Sequence, residues 1–460
     1  MQVIFLCITF LSAPELSAQE TSFNTGFNEG FAVENPPAEA DNFPADKAAK
    51  PEPHPLIEWG GYIKADLRAC INEEDPARSE IHPYPEIGLD LINTAEKSQA
   101  VAEVRFHRNW DLDTPILEQD IASQNISWYL QRMINQAYLQ LFYDRFNMKV
   151  GFFKVVWGTG DQSHVADPLN PFDYFDFVNN DYLERKVSQF MGKLDIPFAL
   201  NGLIEIVYVP VFTPDYTPLS GRWMPSSTAV VSDALLYSAV PPEIVRPETN
   251  LIHYSQFAAR FSRSHRGFDF GSTYYYGFTR EPNLEITGGP LPAAITSIEL
   301  SYDRLHLIGL DTAFTLGGFN IRGEIACYLG NDVDGIDENR ENNQSIQYVA
   351  GWDRNLRVHN LSLHMQCTGA YYFDEFSDPQ RNVISAALKD DWYSRRVCAE
   401  VSASYGVEND DWMVRPTFEF SLPDGILLSL EYVWFSGDEE GIFGQFEEND
   451  FFEISLTRFF

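Results

Sequence analysis

The sequence predicts an all-β protein, a transmembrane antiparallel up-and-down β-barrel of about 18 strands, with 16 as the alternative count. Three observations carry this. First, the chain ends on an amphipathic strand: Phe452, Ile454, Leu456, Arg458 and Phe460 share one face, and Glu453, Ser455, Thr457 and Phe459 the other. That is the two-residue period of a β-strand. Second, the connections between such strands alternate in length, short at one end and long at the other, as in outer-membrane barrels. Third, past residue 11 no run of 18 apolar residues occurs, so a crossing by helix is not indicated.

The chain divides into three parts. Residues 1–18 read as a signal peptide, with an apolar stretch from Val3 to Leu11 and Leu16-Ser17-Ala18 as a small-residue cleavage site. Residues 19–54, rich in Pro, Ala, Glu and Asn, read as a disordered periplasmic leader. Residues 55–460 read as the barrel, with strands expected at 56–71, 84–94, 99–109, 132–144, 145–156, 184–196, 199–212, 252–265, 267–280, 297–316, 319–330, 344–353 and 358–373. Clear alternation follows at 396–405, 414–421, 426–434 and 450–460. The loop alternation stays in phase only if one more strand lies between 374 and 392, and 383–388 supplies it; that gives the even count of eighteen.

Composition excludes several functions. The net charge of −35 repels nucleic acid, whose phosphates need a basic partner. The acid collects in long loops, at Asp111, Asp113, Glu118 and Asp120, at 332–338 and at 438–448. Solvated acidic loops are the ordinary reading, with divalent cations such as Ca²⁺ as the alternative, although no EF-hand spacing is present. Cys70, Cys327, Cys367 and Cys398 form no CxxC pair, so neither a disulfide framework nor a zinc site is expected. Gly158-Thr159-Gly160 lacks the Lys-Ser/Thr of a phosphate loop and reads as a tight turn. Ser163 and His164 are neighbours in sequence, a poor arrangement for a catalytic triad. No enzyme, cofactor or metal is therefore expected.

The inward faces carry both signs of charge: Lys64, Asp66, Arg68, Glu103, Arg105, Arg260, Arg322, Glu324, Glu400, Arg415 and Glu419. This suits a polar lumen crossed by ion pairs. The third long connection, 157–183, holds the richest set of candidate site residues: Trp157, Gly158, Asp161, His164, Asp167, Asn170, Pro171, Asp173 and Asp176. Trp157-Gly158, Asp161 and Asn170-Pro171-Phe172-Asp173 resemble a motif of porin-like outer-membrane barrels, similar to alginate-export channels and to uncharacterised proteobacterial porins. The terminal Phe460 is similar to the assembly signal of such barrels, with Arg458 a departure from it. The resemblance implies residence in the outer membrane of a diderm bacterium and contact with its lipid. It also implies recognition by the barrel-assembly machinery and passive diffusion of small hydrophilic solutes past an inward-folded loop. Carboxylates on that loop would make the channel weakly cation-preferring. The rival is a non-conducting, surface-exposed barrel with a binding or structural role.

Overall fold

The fold is taken from a computed structural model, which describes residues 57–71, 80–107, 131–174, 178, 182–198, 201–218, 221–238, 242–289, 294–331, 344–373 and 380–460. The signal peptide, the leader and Asp176 lie outside the described residues. So do the acidic stretches at 111–120 and 332–338.

The strands are β1 (Glu58–Cys70), β2 (Glu80–Ala95), β3 (Ser98–His107), β4 (Ile134–Phe142), β5 (Asn147–Phe153), β6 (Gln189–Phe198), β7 (Gly202–Val209), β8 (Glu243–Val245), β9 (Gln256–His265), β10 (Phe268–Phe278), β11 (Asn283–Gly288), β12 (Ile295–Ser301), β13 (Arg304–Leu316), β14 (Phe319–Asn331), β15 (Gln344–Asn355), β16 (Ser362–Tyr372), β17 (Gln380–Trp392), β18 (Val397–Gly406), β19 (Asp411–Leu422), β20 (Ile426–Ser436) and β21 (Phe451–Phe459). Eighteen of them form one antiparallel sheet of successive neighbours, and β1 pairs with β21 to close it. The eighteen-strand expectation is borne out. At the seam Gly61 N–H donates to Phe460 C=O at 3.1 Å, and Phe460 N–H to Gly61 C=O at 3.0 Å. Closure leaves no strand edge to lipid, the condition for β-structure in a bilayer.

The alternation sorts the faces. Along β1, Trp59, Ile63 and Leu67 point outward, whereas Arg68 and Cys70 are buried inside. Outward Leu89, Leu139, Ile204, Ile308, Ile325 and Val401 continue an apolar belt. Aromatic residues fringe it: Trp59, Tyr143, Phe198, Phe268 and Phe460 at the end bearing the short turns, and Phe106, Tyr208, Tyr276, Tyr371, Tyr405 and Trp434 at the other. A closed barrel with an apolar band between two aromatic girdles is an outer-membrane barrel.

The structure shifts several boundaries. The expected strand 297–316 is two: β12, which ends at Ser301 and lies outside the barrel, and β13, which starts at Arg304 and belongs to it. β12 pairs with β11 and, in parallel, with β8, forming a small separate sheet. A helix at Ala229–Tyr237 packs on it through Val231 and Ala234 against Ile295 and Ile298. Two long loops thus carry a small folded unit in place of irregular chain. β5 ends at Phe153 rather than 156. Residues 184–188, expected to open a strand, instead include the end of a short helix (Tyr182–Arg185), and β6 starts at Gln189. The weak piece at 383–388 lies within the thirteen-residue β17.

Candidate functional site: the loop between β5 and β6

The loop after β5 turns into the barrel. At its base Asn170 acts as a knot. Its Oδ1 accepts from Val155 N–H at 2.8 Å, and its Nδ2 donates to Phe153 C=O at 3.1 Å and Val187 C=O at 2.9 Å. The two ends of the loop are thereby tied together. Beside the knot, Lys186 Nζ donates to Val155 C=O at 2.6 Å and pairs with Asp167, which also accepts from Tyr182 OH at 2.8 Å. The Lys186 and Asp167 side chains are both wholly buried. Burial pushes the Lys186 ammonium down, and the Asp167 charge opposes that. Arg280 Nε donates to Pro168 C=O at 3.1 Å and its Nη1 to Thr213 C=O at 2.7 Å, bracing the loop against its neighbour.

The middle of the loop is held by Glu324 on β14, whose side chain has no exposure. Its Oε1 accepts from Thr159 N–H at 2.7 Å and Gly160 N–H at 2.6 Å, and meets His164 Nδ1 at 3.0 Å. Its Oε2 accepts from Val165 N–H at 2.8 Å and Ala166 N–H at 3.2 Å. Four backbone donors and an imidazole around one carboxylate make a cradle for negative charge, built from the loop's own main chain. The glycines of Gly158-Thr159-Gly160 are explained here. Gly158 has φ +102°, and a Cβ on it would strike the Glu324 carboxylate; a Cβ on Gly160 would strike Ser163 C=O. Trp157, Val165 and Leu169 then pack with Phe153, Met191, Val207, Tyr275, Leu307 and Val349 from the wall.

Further along, Arg132 pairs with Asp173 at 2.6 Å, and Phe172 N–H donates to Asp215 at 2.8 Å. Burial raises Asp215 to about 6, against the pull of Arg280, the Phe172 N–H and Lys186. Arg415 on β19, seven strands round the ring from β5, donates to Val178 C=O at 2.8 Å. Around that contact Phe172, Tyr174, Val178 and Tyr182 of the loop pack with Met413, Val433, Phe435 and Phe451 of the inner wall. Trp223, Phe443 and Phe446, from two other loops, complete an apolar mass at the long-loop end.

No family model matches the chain, and no curated protein matches it. Among solved structures, it is similar to OccAB4 of Acinetobacter baumannii at 12% identity, covering 89% of this chain and 100% of that one, with a TM-score of 0.48. It is also similar to OccK2 (OpdF) of Pseudomonas aeruginosa in complex with glucuronate, at 8% identity, covering 88% and 97%, TM-score 0.49. OpdK of Pseudomonas aeruginosa with vanillate aligns at 7% identity, covering 88% and 98%, TM-score 0.49. None of these three is an alginate-export channel. What the site does is read from this chain's own residues.

Of the expected loop residues, Trp157, Asp167, Asn170 and Pro171 are buried and His164 nearly so; they build the loop's interior and not its wet surface. Asp161 is 36% exposed and is paired with Arg322 of β14, which also meets Asp353 at 2.9 Å. Burial acts to raise Asp161, but His364 and Arg322 beside it outweigh that and hold the carboxyl below its usual range. Every described loop carboxylate in the expected set has a cationic partner, so the loop is closer to neutral than its sequence suggests.

The wall residues are paired as well, mostly with side chains of other strands, with Lys64 and Asp66 pairing along β1 and Arg105 reaching the loop helix. Arg68 meets Glu453 at 2.9 Å, Lys64 meets Asp66 at 2.8 Å, and Arg260 grips Asp311 with both terminal nitrogens at 2.7 and 2.9 Å. Glu103 accepts from Asn135 at 2.8 Å, and Arg105 reaches Glu184 at 3.8 Å. Glu400 lies 3.7 Å from Lys389, and Arg415 lies 3.9 Å from Glu431; Glu419 shares the inner face of β19 with Arg415. Sequence reasoning missed Gln366, whose Oε1 accepts from Asp161 N–H at 2.9 Å and Gln162 N–H at 3.3 Å. An inward glutamine on an amphipathic strand gives no local signal of that task.

Proposed function

We propose that this chain is an outer-membrane channel through which small hydrophilic solutes diffuse, narrowed by the loop between β5 and β6. The observation that carries this is the loop's course. It leaves the wall at β5, is pinned to β14 by Glu324, and touches β19 through Arg415. A loop held across the lumen sets the cross-section that a solute must pass. Below it the wall is polar and its charges are mostly paired, which suits hydrated solutes better than greasy ones. A weak cation preference fits the net charge of −35, with the paired loop carboxylates limiting its strength. Among Asp161, Asp167 and Asp173, Asp161 has the most access to water, so it is assigned the largest share of that preference within this set.

The test is single-channel recording in planar bilayers. A folded barrel should conduct, and in a salt gradient its reversal potential should show a modest preference for cations. Asp161→Asn should move that potential towards anions, with a smaller shift at 1 M salt, where screening shortens to about 3 Å. A second reading, a barrel that does not conduct, is favoured by the apolar mass joining Phe172, Phe435, Phe446 and Phe451. Absence of any ion current from heat-modifiable, correctly folded protein would select it.

A further inference from the structure

Where the loop meets β14, β15 and β16, three side chains able to ligate a metal converge. One ligand atom each from Asp161, Asp353 and His364 lies within 4.8 Å of the others. Asp353 and His364 are cross-strand partners, so the register of β15 and β16 fixes them side by side on the inner face. Asp161 is fixed from the loop side by the two backbone N–H bonds to Gln366. Asn320 Nδ2 donates to Asp353 Oδ2 at 2.7 Å and orients that carboxylate.

A second observation points to a ligand. A cavity of about 40 Å³ adjoins the cluster, lined by Asp161, His364, Gln162, Gln366 and Ser385 among others. Gln162 is 6% exposed, and its Oε1 meets no donor among the described residues. Gln162 lines the same cavity as Asp161 and His364, and a buried oxygen without a donor is destabilising. A cation beside it supplies what it lacks.

We propose that Asp161, Asp353 and His364 form a binding site for a divalent first-row transition cation of the zinc class. The donor set decides the class. Two carboxylates and an imidazole suit zinc and its neighbours, whereas Ca²⁺ takes roughly six to eight oxygens. In the structure the Arg322 guanidinium bridges Asp161 and Asp353. It neutralises one of two carboxylate charges, and a divalent ion would neutralise both. The Arg322 side chain is 27% exposed and can turn into the lumen. The metal therefore replaces Arg322 as the bridge between loop and wall. It fastens the loop more tightly and adds a free guanidinium to the passage.

The site itself stands on this geometry; its effect on current rests on the channel reading. The test uses the purified, untagged barrel and Co²⁺, whose visible absorption reports nitrogen and oxygen ligation. The wild type should give a saturable band. His364→Gln and Asp353→Asn should weaken binding at least tenfold. Arg322→Gln should tighten it, because the competing cation is gone, and heat-modifiable migration of each variant would show that the barrel is folded. No saturable band in either the wild type or Arg322→Gln, or an unchanged band in His364→Gln, would overturn the proposal. In bilayers, Zn²⁺ should alter the wild-type current and leave that of His364→Gln unaltered. Cobalt binding by a barrel that passes no current would support the site and sink the channel reading.

Discussion

Glu324→Gln is a small chemical change with a large expected effect. Glu324 Oε1 serves the Thr159 and Gly160 N–H groups and His164, and Oε2 serves the Val165 and Ala166 N–H groups. Glutamine keeps the shape but has one acceptor oxygen. Whichever side receives the amide nitrogen, at least two buried N–H groups face another donor. At about 1–3 kcal/mol for each stranded donor, the docked loop loses roughly 2–6 kcal/mol. The ceiling is the free energy of docking, since a released loop is hydrated. A shift of about 3 kcal/mol already moves a docked–released equilibrium by roughly 150-fold. Two assays read this. Single-channel currents should become larger and noisier. In a background lacking the native cysteines, Gln162→Cys should react with an externally added hydrophilic maleimide much faster once Glu324 is also replaced by Gln. Glu324→Ala, which removes all five contacts, should go further on both readouts. If Glu324→Ala leaves the current and the labelling rate unchanged, Glu324 does not hold the loop. The labelling arm decides this even in a barrel that does not conduct.

Leu430→Arg should impair folding far more than Glu431→Arg, because Leu430 pairs with outward Phe418 and Ile454 whereas Glu431 faces Arg415. A midplane arginine in lipid costs roughly 2–4 kcal/mol, measurable as lost heat-modifiable protein, and equal damage from both would refute the register. Deleting Phe460 removes the last hydrogen-bonded pair of the seam with Gly61, and with it the residue proposed to be read by the barrel-assembly machinery. The membrane-inserted fraction should fall; unchanged insertion would count against that role. Asp215, raised to about 6 in the folded loop, holds its proton more tightly there than in the unfolded chain. Loop stability should therefore fall as the pH rises through the range from about 4 to about 6 and level off above it. Asp215→Asn should flatten that slope in proteolysis of the loop at graded pH, and an identical slope would exclude Asp215 as its source.

Strands were legible in the sequence where one face is strongly apolar and the other strongly polar, as in β18 to β21. β17 was faint for a physical reason. Its outward face offers Ile384, Ala386 and Leu388, while Ser385 and Ala387 on the inward face are small, so the contrast between faces is low. β12 and β13 read as one strand because the alternation runs through Tyr302-Asp303, and passing from the small sheet to the barrel there changes no local pattern. The loop's residues were visible as a motif, but their work was not. Asp167 as a wetted carboxylate and Asp167 as the buried partner of Lys186 look alike until residues 19 apart in sequence are brought together. Glu324 resembled any other inward acid, since its five partners lie about 160 positions away.

The loop's three attachments have a mechanical meaning. In the ring, β5 and β6 are the fifth and sixth strands, β14 the eleventh and β19 the sixteenth. The anchors at Asn170, Glu324 and Arg415 thus sit about a third of the circumference apart. A cylinder of hydrogen-bonded strands is a soft hoop: it can flatten into an ellipse by small changes of angle between neighbours, without breaking a ladder bond. Three spokes spread evenly around a hoop resist that deformation in every direction. Lateral pressure from the bilayer would then be carried partly by the loop, and cutting one spoke should let the whole rim breathe rather than only the segment it held.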